Sequence, residues 1–288
     1  MRPHPSPDRP ELGTSDLRTL TELLSNSDRL FVLTGAGCSS ASGIPTYRDE
    51  EGRWKRRQPI TVAAFTGSES VRRRYWARSM VGYRLMAEAA PNAGHAALAR
   101  LEEKGRLGLL VTQNVDGLHQ RAGSRAVLDL HGRVDEVVCL DCRAPSTRAA
   151  LQERLTAANP AWVDLHAPTA PDGDADLERD TGRFEIPACL DCGGMLKPDL
   201  VFFGESVPRA RVERAYDAVS ACDAMLVVGS SLRIFSGGRF VRAAGERGVP
   251  IALLNLGRTR ADEIATVKLR AASDAVLPEL VAALTSGV

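Results

Sequence analysis

The chain has 288 residues, of which 44% are hydrophobic and 25% are charged, and its formal net charge is +1. This length and apolar fraction suit one large α/β domain that carries a smaller insert. The balanced charge disfavours a nucleic-acid partner or an anionic membrane surface, and no apolar run approaches the roughly 20 residues that span a bilayer.

The first 14 residues are rich in proline and contain Asp8 and Glu11. They lack the apolar core of a secretory signal, and their acidic residues and prolines disfavour a mitochondrial presequence. We therefore expect residues 1–14 to form a disordered tail and the protein to be cytoplasmic.

Four short apolar runs each end in small or polar residues, which is typical of buried parallel strands with ligand-binding loops at their carboxyl ends. They are residues 30–34, 109–112, 225–228 and 251–254. Helical patterns alternate with them, at residues 17–24, 96–103, 210–221 and 238–247. This alternation predicts an α/β fold with a Rossmann-like, doubly wound parallel sheet.

Two regions interrupt the alternation. Residues 53–90 have a helical pattern without a strand, and residues 133–196 contain two cysteine pairs and a polar stretch. We expect both to be inserts that form a small lobe on one domain spanning residues 15–288. The large lobe is then assigned to residues 15–52, 91–132 and 197–288.

The segment directly after the first apolar run reads GAGCSSASGIPTYR, residues 35–48. A glycine pair at the end of a strand presents backbone N–H groups to a phosphate. The pair alone is a weak signal because Ser40 stands where the dinucleotide motif has its third glycine, so glycines that serve only chain geometry remain an alternative. The continuation to Arg48 adds a loop that a plain dinucleotide fold lacks, which suggests that the nucleotide is chemically consumed.

Polar side chains follow the second apolar run, in the order Gln113, Asn114, Val115, Asp116. Amides and a carboxylate at the carboxyl edge of a sheet suit ribose hydroxyls and a carboxamide, although such residues also cap ordinary loops. His131 follows another short apolar run and precedes the second insert. It is a candidate general base or a structural histidine.

Four of the six cysteines form two Cys-x-x-Cys pairs, Cys139 with Cys142 and Cys189 with Cys192. Two such pairs direct four thiolates at one tetrahedral cation, which predicts a closed, structural zinc site. Disulfides and a redox dithiol are the alternatives. Disulfides are rare in a cytosolic chain, and a redox pair normally occurs once.

In the order of its motifs the chain resembles the sirtuins, which are NAD-dependent protein deacylases. The shared motifs are GAGCSSASGIPTYR, TQNVDGLHQRAG, LHG, the two cysteine pairs, KPDLVFFGE (197–205), GSSL (229–232) and NLG (255–257). The resemblance extends from about residue 28 to residue 277. RYWAR (74–78), PDGD (171–174) and the long segment between the cysteine pairs are similar to bacterial and mitochondrial class II sirtuins.

The resemblance implies that NAD is consumed as a co-substrate and that each chain holds one structural zinc. His131 matches the sirtuin general base, and Asn114 and Asp116 match the other catalytic residues. The positions that match NAD-contacting residues are Gly35, Ala36, Gly37, Ile44, Pro45, Tyr47, Arg48, Gln113, Asn114, Val115, Asp116, Gly229, Ser230, Ser231, Asn255, Leu256, Gly257 and Ser273.

The resemblance also implies a substrate peptide that adds as a strand between residues 203–205 and residues 232–234. The matching substrate-binding positions are Phe202, Phe203, Gly204, Glu205 and Ile234, together with Tyr75 and Arg78. Sirtuins that accept acidic acyl groups share the Tyr-x-x-Arg spacing. One hypothesis is therefore that Arg78 pairs with a carboxylate on a succinyl or glutaryl chain; a solvated arginine is the alternative.

The chain departs from the common sirtuin pattern at two places. Thr46 and Tyr47 replace the usual Asp-Phe before Arg48, and Ser236 stands where many sirtuins have proline. The first change removes a carboxylate from the loop that is expected to close over nicotinamide.

The expected reaction converts NAD and an acylated lysine into nicotinamide, O-acyl-ADP-ribose and free lysine. Mono-ADP-ribosyl transfer and lipoamidase activity are enzymatic alternatives, and an NAD-sensing binding module is the non-enzymatic one. The expected partners are acylated lysine side chains of proteins, with no nucleic acid and no membrane, and we expect a monomer.

Overall fold

The computed structural model describes residues 17–51, 53–55 and 60–286. The tail predicted at residues 1–14 lies outside the described residues. Within those ranges, no helix combines the length and the apolar character that a bilayer span requires.

The described residues form nine α-helices and nine strands. The helices are α1 (Leu17–Ser25), α2 (Val62–Gly67), α3 (Glu69–Glu88), α4 (Ala93–Glu103), α5 (Leu118–Arg121), α6 (Arg148–Ala158), α7 (Arg209–Ala221), α8 (Phe235–Glu246) and α9 (Ser273–Thr285). The strands are β1 (Leu30–Thr34), β2 (Leu107–Thr112), β3 (Val127–Asp129), β4 (Gly132–Cys139), β5 (Pro145–Thr147), β6 (Leu196–Leu200), β7 (Ala224–Val228), β8 (Ile251–Leu254) and β9 (Val267–Leu269).

Six strands form one parallel sheet in the order β3-β2-β1-β7-β8-β9. The predicted α/β class and Rossmann-like sheet are confirmed, and the four predicted runs correspond to β1, β2, β7 and β8. The strand order reverses beside β1, so the loops that follow β1 and β7 diverge at that point. Such a switch point at the carboxyl edge is where open α/β sheets bind ligands.

Hydrophobic residues cover both faces of this sheet, which is why its central strands are apolar throughout. All five residues of β1 are buried, and the first four alternate between two hydrophobic clusters. Leu30 and Val32 pack with α1, α4 and α9, whereas Phe31 and Leu33 pack with α7 and α8. The two-residue period of the strand thus joins two helical layers.

The remaining strands form a small antiparallel sheet in the order β5-β4-β6, next to α2, α3 and α6. Its core contains the fully buried rings of Phe65 and Trp76. The lobe boundary expected between residues 196 and 197 falls inside β6, whose residues pair with β4. The small sheet therefore includes residues that the sequence assigned to the large lobe.

Two loops at the carboxyl edge touch through their backbones. After β1 the chain makes two short 3-10 turns, at Ala36–Cys38 and Ser40–Ser42, before any α-helix begins. The Gly37 N–H donates to the Gly229 carbonyl at 2.9 Å. A Cβ atom on Gly229 would lie 2.3 Å from the Cys38 nitrogen, and the Gly229 φ angle is +62°. This approach requires glycine.

Gly229→Ala is expected to destabilise the fold more than a substitution that strains only the backbone. Gly105→Ala is the matched control, because Gly105 has a φ of +72° and no heavy atom within 4 Å of an added Cβ. The control should lower the free energy of unfolding by about 1–2 kcal/mol. Gly229→Ala should lower it by about 1–3 kcal/mol more, because the two loops must separate. Denaturant unfolding measures both, and equal losses would contradict the proposed loop contact.

Candidate active site

A cleft of about 750 Å³ lies at the carboxyl edge of the parallel sheet, beside the small lobe. This volume is within the range of small-molecule sites. Most of the predicted site residues line it. They are Gly35, Ala36, Gly37, Tyr47, Arg48, Gln113, Asn114, Val115, His131, Phe202, Phe203, Gly204, Glu205, Gly229, Ser230, Ser231, Ile234, Asn255, Leu256, Gly257 and Ser273.

Five predicted residues lie outside the cleft lining. Ile44 and Tyr75 are buried in the small-lobe core, and Pro45 follows Ile44. Asp116 is buried behind the cleft, and Arg78 lies in an ion pair that is described below.

The His131 ring has two partners that determine where its proton resides. Nδ1 lies 3.0 Å from the Gln113 carbonyl oxygen, and Nε2 lies 2.7 Å from Ser236 Oγ. A carbonyl oxygen can only accept, so Nδ1 carries the hydrogen and donates it. In the neutral ring, Nε2 keeps its lone pair and accepts from the Ser236 hydroxyl.

Burial lowers the pKa of His131, the bond to the Gln113 carbonyl opposes this shift, and the Arg211 charge adds to it. The ring is therefore neutral near pH 7, as a proton acceptor must be. The partner Ser236 was noted in the sequence only as a departure from proline. Nothing in the sequence indicated its contact with His131, because 105 residues separate the two.

Asn114 and Asp116 meet at Ser39, which sequence reasoning did not select. The Asn114 amide donates to Gly35 O at 3.1 Å and to Ser39 Oγ at 3.0 Å. Ser39 Oγ donates to Asp116 Oδ2 at 2.6 Å, and the Leu118 N–H donates to Oδ1 at 2.9 Å. These bonds fix the loop after β2 against the loop after β1.

Two further histidines lie behind this network. His119 is almost completely buried, its Nε2 lies 2.9 Å from Thr34 Oγ1, and its ring centre lies 4.7 Å from that of His95. Burial and, to a smaller extent, the His95 charge lower the pKa of His119 to about 3. His119 therefore belongs to the packed interior and does not line the cleft.

The end of the cleft where the nucleotide is expected combines closely packed backbone with positive charge. A Cβ atom on Gly257 would lie 2.4 Å from the Glu50 carbonyl oxygen, so this loop also requires glycine. Burial, and then the charges of Arg233 and Arg260, lower the pKa of Arg48. Three guanidinium groups that are close enough to interact electrostatically are suited to binding an anionic diphosphate.

Asn255 and Gln113 hold the neighbouring loops in place. The Asn255 amide donates to Gly257 O at 2.9 Å, within its own loop. The Gln113 amide donates to Ser230 Oγ at 2.7 Å, which joins the loops that follow β2 and β7. The residues predicted to contact NAD thus also stabilise the wall on which a nucleotide would lie.

The motif KPDLVFFGE continues from β6 into a turn that is held by an ion pair between the buried Lys197 and the more exposed Glu205. Lys197 Nζ lies 3.0 Å from Glu205 Oε2, and the same oxygen accepts from the Phe202 N–H at 3.0 Å. Lys197 Nζ also lies 4.5 Å above the Phe202 ring. On the other side, the Phe203 carbonyl accepts from the Val62 N–H at 2.9 Å, which ties this turn to α2.

The long insert reaches the cleft through Asp172, a residue that sequence reasoning did not select. Asp172 lines the cleft near Tyr47, and the interaction with Tyr47 lowers the pKa of this carboxyl against the larger, opposite effect of burial. Two residues further along, Asp174 Oδ1 lies 2.9 Å from Arg78 Nε. Arg78 Nε also donates to Ala175 O at 2.6 Å. The guanidinium that was predicted to bind an acidic acyl group is thus paired within the protein.

The four paired cysteines lie together in one cluster. Their sulfur atoms lie within 4.8 Å of one another, with Sγ–Sγ distances of 3.6 Å between Cys139 and Cys192 and 3.7 Å between Cys142 and Cys189. Zn–S bonds of about 2.3 Å give a tetrahedron whose edges measure roughly 3.8 Å. The cluster therefore fits zinc, and four thiolates leave no open position for catalysis.

Cys192→Ser is expected to release zinc and loosen the small lobe, because a hydroxyl is a poor ligand for this ion. Cys222→Ser is the control, since Cys222 is buried outside the cluster and donates to Val219 O. Zinc content by atomic emission should fall from about one per chain to a small fraction in the first variant only. Full zinc content in Cys192→Ser would contradict the assignment.

The buried His119 predicts acid sensitivity of the fold. An unfolded histidine takes up its proton near pH 6.5, whereas folded His119 does so near pH 3. Between these values the unfolded state binds the extra proton, so stability falls as the pH falls, by about 1.4 kcal/mol per pH unit from this group.

Denaturant unfolding at pH 4.5–6.0 measures this slope. His119→Gln should reduce the slope by about that amount, and His166→Gln, at an exposed side chain, should leave it unchanged. An unaltered slope in His119→Gln would contradict the assignment of the neutral ring.

Known proteins resemble this chain along most of its length. A model of the Sir2 family matches residues 35–236. The NAD-dependent protein deacetylase of Bordetella bronchiseptica is 59% identical over 268 residues, which cover 93% of this chain and 98% of that protein. The human mitochondrial NAD-dependent protein lipoamidase sirtuin-4 is 45% identical over 276 residues, which cover 94% and 88%.

A solved structure of a Sir2 protein with a p53 peptide and NAD+ is similar in fold. It superimposes with a TM-score of 0.75 at 30% identity, and the match covers 92% of this chain and 97% of that chain. The predicted membership is confirmed: this chain belongs to the Sir2 family of sirtuins.

Proposed function

We propose that this chain is an NAD-dependent protein-lysine deacylase that yields nicotinamide, O-acyl-ADP-ribose and free lysine. The observation that carries the proposal is the His131 ring in the cleft. Its Nδ1–H donates to the Gln113 carbonyl, so Nε2 is the nitrogen available to take a proton. A binding module has no need of a neutral imidazole in a defined tautomer.

The proposed reaction begins when the acyl oxygen of the modified lysine attacks the ribose carbon that bears nicotinamide. The glycosidic C–N bond breaks, and nicotinamide leaves with the bonding electron pair. His131 Nε2 then takes the proton of a ribose hydroxyl as that oxygen attacks the imidate carbon. Water completes the transfer, and the lysine amine is released.

Asn114 and Asp116 support this chemistry by position. Their side chains are joined through Ser39, so the loop that faces the ribose and the carboxamide is fixed before the substrates bind. Such preorganisation lowers the cost of aligning the reacting atoms. The Ser236 hydroxyl, 2.7 Å from Nε2, donates a hydrogen bond to the Nε2 lone pair. In the proposed reaction a ribose hydroxyl takes the place of Ser236 as the donor.

The names of the relatives support the substrate class. The bacterial relative is named a deacetylase and the human relative a lipoamidase, and both names describe removal of an acyl group from an amine with NAD. We propose that acylated lysines of proteins are the substrates. Lipoyl-lysine is a second candidate, since it is the group in the name of the 45% identical relative.

His131→Ala is expected to lower deacylation by about 100-fold or more, the usual contribution of a general base. Wild type should release nicotinamide, O-acyl-ADP-ribose and deacylated peptide in equal amounts, measured together by mass spectrometry. His166→Ala, at an exposed site, is the control with unchanged turnover.

Three results would contradict the proposal. ADP-ribosylated protein in place of acyl-ADP-ribose would favour mono-ADP-ribosyl transfer. NAD binding without nicotinamide release would favour the sensing module, and full turnover in His131→Ala would remove the assigned base.

A further inference from the structure

The insert between the cysteine pairs places a short hairpin, residues 169–175, against the cleft. Thr169 and Ala175 form an antiparallel bridge, and Ala170 N donates to Asp174 O at 2.9 Å. Asp172 lies at the tip of this hairpin and lines the same cleft as His131. The hairpin is therefore part of the wall of the substrate cleft.

Backbone contacts with α3 hold the hairpin in this position. The Ala175 N–H donates to Arg78 O at 3.3 Å, and Arg78 Nε donates to Ala175 O at 2.6 Å. A Cβ atom on Gly82 would lie 2.3 Å from the Gly173 carbonyl oxygen. The close approach exists because α3 has glycine at this position, so the location of Asp172 is built into the helix.

The hairpin brings two carboxylates to one guanidinium. Asp174 pairs with Arg78 at 2.9 Å, and the side chains of both are about three-quarters buried. The Asp174 N–H donates to Asp172 Oδ1 at 3.3 Å. Tyr47 and the Arg78 charge lower the pKa of Asp172 against the effect of burial. Two carboxyl groups and one guanidinium therefore lie together at this end of the cleft.

The surroundings of Asp172 and Asp174 already disfavour the ionised form of these two carboxyl groups. Burial raises the pKa of Asp172, and burial together with the Asp172 charge raises the pKa of Asp174 to about 7. A third carboxylate brought to this place would face the same desolvation and the repulsion of the other two. An uncharged acyl chain avoids both the desolvation of a charge and this repulsion.

Aromatic and aliphatic side chains cover the wall that leads to this end of the cleft. Phe202 lines the cleft, and its ring centre lies 5.3 Å from that of Tyr75. Ile60 and Val115 line the cleft as well. An acyl chain threaded past these groups would be in apolar surroundings until it met Tyr47 and Asp172.

We infer that Asp172 and Asp174 select against acyl chains that end in a carboxylate, so that the enzyme removes uncharged acyl groups from lysine. The inference rests on the proposed deacylase function and concerns the acyl end of the same cleft. The Tyr-x-x-Arg spacing predicts that Arg78 binds an acidic acyl group. The inference is the opposite, because Asp174 already forms an ion pair with the Arg78 guanidinium.

The test compares butyryl-lysine and glutaryl-lysine in one peptide sequence with NAD, by kcat/KM. Wild type should favour the butyryl peptide by about tenfold or more. Asp172→Asn, which keeps the size of the side chain, should raise the glutaryl-to-butyryl ratio by about tenfold, and the Asp172→Asn/Asp174→Asn double variant should raise it further. Asp180→Asn is the control, because Asp180 is an exposed aspartate of the same insert. This substitution should leave the ratio unchanged.

The outcomes separate the two proposals. A wild type that removes both groups with equal efficiency would overturn the inference whatever the variants do, and so would an unchanged ratio in variants that still remove butyryl. Release of no nicotinamide with any acyl peptide would instead overturn the proposed function itself, and the inference with it.

Discussion

The cleft depends on the backbone contact between the loops that follow β1 and β7. These two strands are neighbours at the switch point, and Gly37 and Gly229 allow their loops to approach until main-chain atoms touch. With that contact in place, Ser39 reaches Asn114 and Gln113 reaches Ser230. A side chain at Gly229 would separate the loops and disrupt both links, so the glycines act on the site through packing.

His131 lies where the parallel sheet meets the small antiparallel sheet. Its ring is held by Gln113 and Ser236, and its carbonyl accepts from Val201 N at 2.9 Å. The next residue, Gly132, begins β4 and pairs opposite Leu200. The proposed proton acceptor is thus held by groups next to both sheets, and a shift between the sheets would change its orientation.

The two proposed ends of the cleft differ in their charged groups. The end proposed for the nucleotide carries Arg48, whose pKa is lowered in part by the charges of Arg233 and Arg260, and this group of cations suits phosphates. The end proposed for the acyl chain carries Asp172 and Asp174, of which Asp174 pairs with Arg78. In the proposed reaction NAD and the acyl chain would therefore approach His131 from sides with different electrostatic preferences, and variation in the insert would change acyl selectivity without altering the NAD loops.

Local sequence patterns were sufficient for the strands β1, β2, β7 and β8, the two cysteine pairs and the motif loops. In each of these, a few consecutive residues carry the signal, as in the wholly buried β1. Tertiary structure alone decided that β6 joins the small sheet, that Ser236 meets His131 across 105 residues, and that Asp174 neutralises Arg78. These contacts join segments far apart in the chain, and no spacing within either segment specifies its partner. The sequence therefore determined the fold and the reacting groups, whereas long-range packing decided what surrounds them.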